Sequence, residues 1–258
     1  IMSDMNHSGI FLQGMIFLHR GQFESARRCF GQALEEARAG GKADQLRAVL
    51  LNLGNASAAL GDREKARSCY LEILALDREQ PDAKTVGQTL VNLGNLCREG
   101  GEFERARAYY LEAADLLQEN SDDLSSGVLY SNRGLLEEAT GHLEEAITLF
   151  RKAIDCHKKA GHEEGLAATW GQLGRVFLQR DQDRDAETCF NYATTHFNRL
   201  GNPAGESEAL RGLAAVYERR GDRELALHCL ERITEIEERY RFPPDARDHE
   251  QNNRLRRK

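Results

Sequence analysis

Gly14, Gly54, Gly94, Gly134 and Gly174 recur every 40 residues, and one further step of the same length reaches Ala214. Self-similarity at a period between about 20 and 50 residues marks a repeat architecture, in which each unit buries its apolar face only against its neighbours. Other columns keep the same step. Seven residues after the glycine stand Gly21, Gly61, Gly101, Gly141, Asp181 and Gly221, poor helix formers that punctuate a turn. Five residues on, every unit has alanine: Ala26, Ala66, Ala106, Ala146, Ala186 and Ala226. Four beyond that comes a large apolar residue (Phe30, Tyr70, Tyr110, Phe150, Phe190, Leu230), and three further a small or aliphatic one (Ala33, Ile73, Ala113, Ala153, Ala193, Ile233). Ile10, Leu50, Leu90, Tyr130, Trp170 and Leu210 lie four residues before the glycine column. Steps of three and four keep residues on one helix face. Each unit therefore predicts helix, tight turn, helix.

Small residues at fixed places let the two helix axes approach closely, and the large residues a turn away fill the groove between them. Trp170, Leu173, Gly174 and Phe177, followed by Ala186 and Phe190, resemble the W-x2-L-G-x2-Y…A-x3-F pattern of the tetratricopeptide repeat family. Gln13 and Arg133 depart from the leucine seen at Leu53, Leu93, Leu173 and Leu213, and Asp181 departs from the turn glycine. The resemblance implies an all-α fold, a right-handed α-α superhelix (a solenoid) of six helix-turn-helix repeats. Their bounds are about 7–46, 47–86, 87–126, 127–166, 167–206 and 207–242, one continuous domain over 1–242. The family's usual repeat is roughly 34 residues, and the surplus is expected between hairpins, at Ala39 to Asp44, Arg78 to Thr85, Glu119 to Ser126, Ala160 to Leu166 and Leu200 to Glu206. The long period is similar to that of the subgroup of Pins/LGN-type adaptors and of kinesin light chains. Pro243-Pro244 stop the last helix, so 243–258 reads as a C-terminal capping helix or a frayed tail.

The balance of charge narrows the partners. With 30% charged residues, a net charge of −7 and a mean hydropathy of −0.61, the chain offers no general attraction for nucleic acid or an anionic membrane. No run approaches the ~18 apolar residues of a spanning helix. The stretch Ile10 to Leu18 is broken by Gln13 and Gly14 and lacks the flanks of a signal peptide. The chain opens on Ile1, with Met2 and Met5 close behind as starts, which suits either added residues before the natural start or a segment cut from a longer protein.

Catalytic and metal motifs are weak. Cys29, Cys69, Cys189 and Cys229 share one column of the second helix, where cysteine serves as a small apolar packing residue. With no C-x-x-C pair, reduced thiols and a cytoplasmic address are expected. Cys156, His157 and His162, near Asp155 and Glu163, match no metal-site spacing and are expected at a solvated helix end. Gly40-Gly41-Lys42 lacks the rest of a phosphate loop, and the triplet Asn55-Ala56-Ser57 falls inside a predicted helix. No catalytic constellation and no cofactor follow from the sequence.

The surface carries the remaining signal. Two residues before the glycine column stand Leu12, Asn52, Asn92, Asn132, Gln172 and Gly212, four consecutive amides in a register where asparagine is a poor helix former. A carboxamide offers both a donor and an acceptor, so such a column can bond a passing backbone whatever its side chains. The family resemblance implies that this face lines the concave groove, where kinesin light chains and Pins/LGN-type proteins carry comparable asparagines. Asn55, Asn95 and Arg175 lie a turn along, with Arg211 flanking. Together these predict an adaptor that binds an extended protein or peptide segment with acidic residues near the two arginines. Phe11, Leu12, Met15 and Leu18 make the first helix apolar where later repeats are polar, a contact for a missing repeat, a second copy of the chain or the ligand. A peptide-responsive regulatory sensor, or the interaction region of a larger protein with its catalytic domain elsewhere, are the alternatives.

Overall fold

The structure is a computed structural model that describes residues 9–40, 42–77, 83–119, 123–243 and 245–257. The described residues form thirteen α-helices and no strand, in two compact units. Residues 1–122 hold α1 (Gly9–His19), α2 (Phe23–Gly40), α3 (Ala43–Ala59), α4 (Arg63–Asp77), α5 (Ala83–Glu99) and α6 (Phe103–Glu119). Within that unit α1/α2, α3/α4 and α5/α6 are hairpins, stacked through α2 on α3 and α4 on α5. Residues 123–258 hold α7 (Asp123–Ala139), α8 (Leu143–Lys159), α9 (Glu163–Gln179), α10 (Asp183–Leu200), α11 (Pro203–Arg220), α12 (Arg223–Tyr240) and α13 (Ala246–Arg257). There the hairpins α7/α8, α9/α10 and α11/α12 stack in the same way, and α13 packs on α12.

The glycine column is explained by aromatic rings lying on bare backbone. A methyl group at Gly54 would stand 2.5 Å from the ring of Tyr70, at Gly94 2.4 Å from Tyr110, and at Gly134 2.6 Å from Phe150. Gly14 with Phe30 and Gly174 with Phe190 repeat the arrangement. Every one of these rings is buried, and each contributes roughly 1.5–3 kcal/mol of hydrophobic stabilisation. The last hairpin pairs Ala214 with Leu230, both buried: the smaller partner leaves room for the methyl group.

The second glycine column closes the hairpins. Gly21, Gly61, Gly101, Gly141 and Gly221 have φ between +68° and +82°, the left-handed region that a Cβ disfavours. Asp181 adopts φ 58° at the same place, as a short polar side chain tolerates better than most.

The surplus residues of the long repeat do not form connections where the structure shows them. Only Ala160, Gly161 and His162 separate α8 from α9, and only Gly201 and Asn202 separate α10 from α11. Gly161 and Gly201, both at φ +65°, turn the chain at once, and Asn202 caps α11 by accepting the Gly205 N–H at 2.9 Å. The expected linkers at Ala160 to Leu166 and Leu200 to Glu206 are therefore mostly helix, and helices of 17 or 18 residues absorb the extra length. The segments around Arg78 and Asn120 lie partly outside the described residues.

At the C-terminal end, α13 buries Leu255, and Gln251 donates to Glu218 at 2.9 Å. Lys258 lies outside the described residues. Among the described residues no helix is long and apolar enough to cross a membrane.

Candidate functional site

In the unit of residues 1–122, the amides of the first helices are half-buried and engaged. Asn92 Nδ2 donates to Asn55 Oδ1 at 3.1 Å, tying α5 to α3. The same Asn55 oxygen accepts the Tyr70 hydroxyl at 2.7 Å, and Asn95 Oδ1 accepts the Tyr110 hydroxyl at 2.7 Å. Burial pushes the Tyr110 hydroxyl up to about 12 and Tyr70 higher still, so both donate as neutral phenols. Asn52 Nδ2 bonds back to the Ala48 carbonyl at 2.8 Å. Asn55 and Asn95 thus belong to hairpin packing before they belong to any ligand.

The apolar residues of α1 separate. Phe11 is 6% exposed and packs on Phe30 with ring centroids 5.6 Å apart, so the expected surface contact at Phe11 is instead a core contact. Met15 and Leu18 are half-buried against the same core. Leu12 and Ile16 are the exposed pair, at 53% and 52%.

In the unit of residues 123–258, Asn132 Nδ2 bonds the Val128 carbonyl at 3.0 Å, whereas the Oε1 atom of Gln172 is buried without a hydrogen-bond partner among the described residues. Arg175 forks onto Glu138, with Nε 3.2 Å from Oε1 and Nη2 2.8 Å from Oε2, and Gln179 joins at 2.9 Å. Burial is the largest influence on Arg175 and opposes its charge, but the bond to Glu138 and the negative charges of Glu138 and Glu208 together raise the guanidinium pKa. Arg211 makes a similar fork with Asp248 of α13, the closest contacts at 2.8 Å. Both arginines singled out for acidic ligands thus already hold an acidic side chain of their own chain.

Between α9 and α11, over α10, lies a cavity of about 470 Å³. Its apolar lining includes Phe190 and Phe197, and Gly171, Gly205 and Gly212 open it. A methyl at Gly212 would sit 2.4 Å from Phe190, and one at Gly205 2.6 Å from Phe197. The amide column therefore stops at Gly212 because Phe190 occupies the space a side chain would need. Sequence reasoning missed the cavity. Its only linear signal is glycine at 171, 205 and 212 within predicted helices.

His157 is not at a solvated helix end. His157 is 2% exposed, its ring enclosed by Gly127 and Gly165, with Nδ1 3.3 Å from His162 Nδ1 and Nε2 3.5 Å from Ser131 Oγ. Ser131 also reaches Thr169 at 3.0 Å. Burial first, and His162 second, push the His157 pKa down to about 4. Among the described residues no group of three His, Cys, Asp or Glu side chains is placed to hold a metal ion. The six cysteines are free thiols, and burial raises Cys189 to about 12 and Cys229 to about 11, far from the thiolate a nucleophile needs.

No curated protein matches the chain significantly. Among solved structures, BtubC (BKLC) from P. vanneervenii superposes with a TM-score of 0.73 at 22% identity, over 86% of this chain and 94% of that one. The APC/C hetero-tetramer Cut9-Hcn1 gives 0.75 at 18% identity over 95% of this chain, which spans only 42% of that relative. A Rap protein complexed with Competence and Sporulation Factor gives 0.68 at 12% identity, over 89% and 74% of the two chains. At these identities the likeness is one of fold. The tetratricopeptide repeat profile matches residues 10–79, 45–119, 85–159, 125–199 and 165–239, nearly the whole array. The chain belongs to the tetratricopeptide repeat family.

Proposed function

We propose that the chain is a non-catalytic interaction module that holds an extended segment of a partner protein along the face of its first helices. The observation that carries this reading is the column Asn52, Asn92, Asn132 and Gln172, all four only half-buried. It ends at Gln172, whose buried amide oxygen has no partner among the described residues. Within each unit, first helices one repeat apart are separated by a second helix, so Asn52 and Asn92, and likewise Asn132 and Gln172, fall about two axis spacings of 8–10 Å apart. An extended segment advances about 3.3 Å per residue and would meet a new amide roughly every fifth or sixth residue. Carboxamides suit the task because they pair with either polar group of a backbone. The similarity in period to kinesin light chains and Pins/LGN-type adaptors belongs to the same reading.

The test is a defined peptide, taken from a displayed random library, titrated against the wild type and against a variant with all four amides replaced by alanine. Each lost bond is worth about 1 kcal/mol, so the variant should bind at least a hundredfold more weakly. Affinity within threefold of the wild type removes the amides from the binding face.

A second reading, a sensor whose ligand reshapes the array, draws on the Rap protein seen with Competence and Sporulation Factor. Small-angle scattering with and without the captured peptide separates the two: a holder keeps its radius of gyration, a sensor changes it.

A further inference from the structure

The cavity between α9 and α11 combines small residues, aromatic rings and arginines. Its glycines at 171 and 212 stand where the earlier repeats have Phe11, Leu51, Val91 and Ser131, and Leu12, Asn52, Asn92 and Asn132. Phe190 and Phe197 supply an apolar lining, and its charged lining is Arg175, Arg211, Arg247 and Glu208, with Arg211 paired to Asp248 and Arg247 to Asp245. An arginine has five N–H donors. Arg175 spends two on Glu138 and its side chain stays 43% exposed, so it keeps donors for another acceptor. At about 470 Å³ the space falls in the range of pockets that bury a ligand, about 300–1,000 Å³. Gln172 belongs both to the cavity lining and to the amide column, so a segment that follows the column passes the cavity mouth.

We propose that this cavity is the specificity pocket of the module: it takes one large apolar side chain, aromatic or branched, from the bound segment, while Arg175 donates to a carboxylate one or two residues away in the same segment. The assignment rests on the reading of the first-helix face given above. The pairing follows from the lining, because an aromatic floor rewards apolar area and arginine forks match carboxylates in geometry as well as charge.

Gly171 provides the means to close the cavity without disturbing its walls. A Cβ there would meet only the Ala193 methyl, at 3.8 Å, whereas Gly205 and Gly212 have no such room. The full chain and its Gly171→Leu variant are panned against one phage-displayed random dodecapeptide library. The best wild-type peptide is then made with a fluorescein label and titrated by fluorescence anisotropy. The wild type should enrich sequences with a large apolar residue within two positions of Asp or Glu. Changing that apolar residue to alanine should weaken binding at least tenfold, and Gly171→Leu should do the same. Arg175→Ala should weaken the acidic peptide at least fivefold and its Asn or Gln analogue less than twofold. If Gly171→Leu lowers the melting temperature, Ala168→Leu fills the same space from one turn earlier on α9. An enriched peptide without the apolar–acidic pair, or binding within twofold in the filled variant, overturns the pocket. If that peptide still loses affinity when the four amides become alanine, the face reading survives alone. If no peptide is enriched, or none responds to either variant, both readings fall.

Discussion

The hydroxyl of Tyr70 donates to Asn55 at 2.7 Å, and Tyr110 does the same to Asn95 at the same distance. In each pair the asparagine follows the column glycine and the aromatic ring lies on that glycine's backbone. Where the ring is phenylalanine, at Phe30, Phe150 and Phe190, the residue after the glycine is Met15, Leu135 or Arg175. The asparagine thus satisfies a buried phenol and is absent where there is none.

Tyr70→Phe should therefore cost about 1 kcal/mol, the net worth of one hydrogen bond. Asn55→Leu should cost more, about 1–3 kcal/mol, because it leaves the buried phenol and the Asn92 amide unpaired. The double variant copies the Phe150–Leu135 arrangement and should recover part of that loss. Urea melts of the four proteins give the coupling, and strictly additive changes would show that the bond contributes nothing specific.

Two glycines in helix interiors should respond to alanine with opposite signs. At Gly54 a methyl group is 2.5 Å from Tyr70, and forcing the ring aside should cost about 1–3 kcal/mol. At Gly171 the nearest atom is 3.8 Å away, so alanine brings only its better helix propensity, a gain of up to about 1 kcal/mol. Thermal melts of both variants check this, and destabilisation by Gly171→Ala would mean that the cavity wall is tighter than the geometry shows.

The amide column should also divide in the free protein. Asn92 links α5 to α3 through Asn55, so Asn92→Ala should destabilise by about 1 kcal/mol. Asn52 and Asn132 bond only carbonyls of their own helices, and alanine is the better helix former, so either substitution should leave stability unchanged or raise it slightly. Equal losses at all three positions, measured by denaturant melts, would contradict this division.

Periodicity makes the hairpins, the turn glycines and the buried rings legible, because each is fixed by spacing within one repeat. Contacts that depend on the third dimension are less legible. The bond from Asn92 to Asn55 spans 37 residues, and the partners of Arg175 and Arg211 lie on other helices, so a column of polar residues reads as free in sequence when several of its members are already bonded. Phe11 reads as surface because a helix apolar on all sides does not say which side meets Phe30. The cavity depends on three glycines and two rings drawn from three helices, and no linear pattern joins them. His157 falls at a helix end by its place in the chain, but Gly127 and Gly165 make room for its ring in the core.

That burial gives a pH dependence with a definite sign. The imidazole of His157 is held neutral down to about pH 4 by burial and by His162, whereas in the unfolded chain a histidine titrates near 6.5. Between those values the unfolded state binds more protons, so stability is complete above about pH 6.5 and is lost as the pH falls toward 4. The loss should be on the order of 1–3 kcal/mol, since each tenfold change in proton affinity corresponds to about 1.4 kcal/mol. Glu102, held below its usual range by the Arg67 bond, and Asp245, held down by Arg247, contribute losses mainly below about pH 4.5, near the unfolded values of carboxylates. The window from about 4.5 to 6.5 therefore separates them from the histidine. His157→Phe places in this column the residue that the next repeat carries as Phe197, and it should flatten the stability profile across that window while leaving the acid limb below it. Chemical denaturation of wild type and variant at half-unit pH steps makes the comparison, and parallel profiles between pH 4.5 and 6.5 would show that His157 is as free to take a proton folded as unfolded.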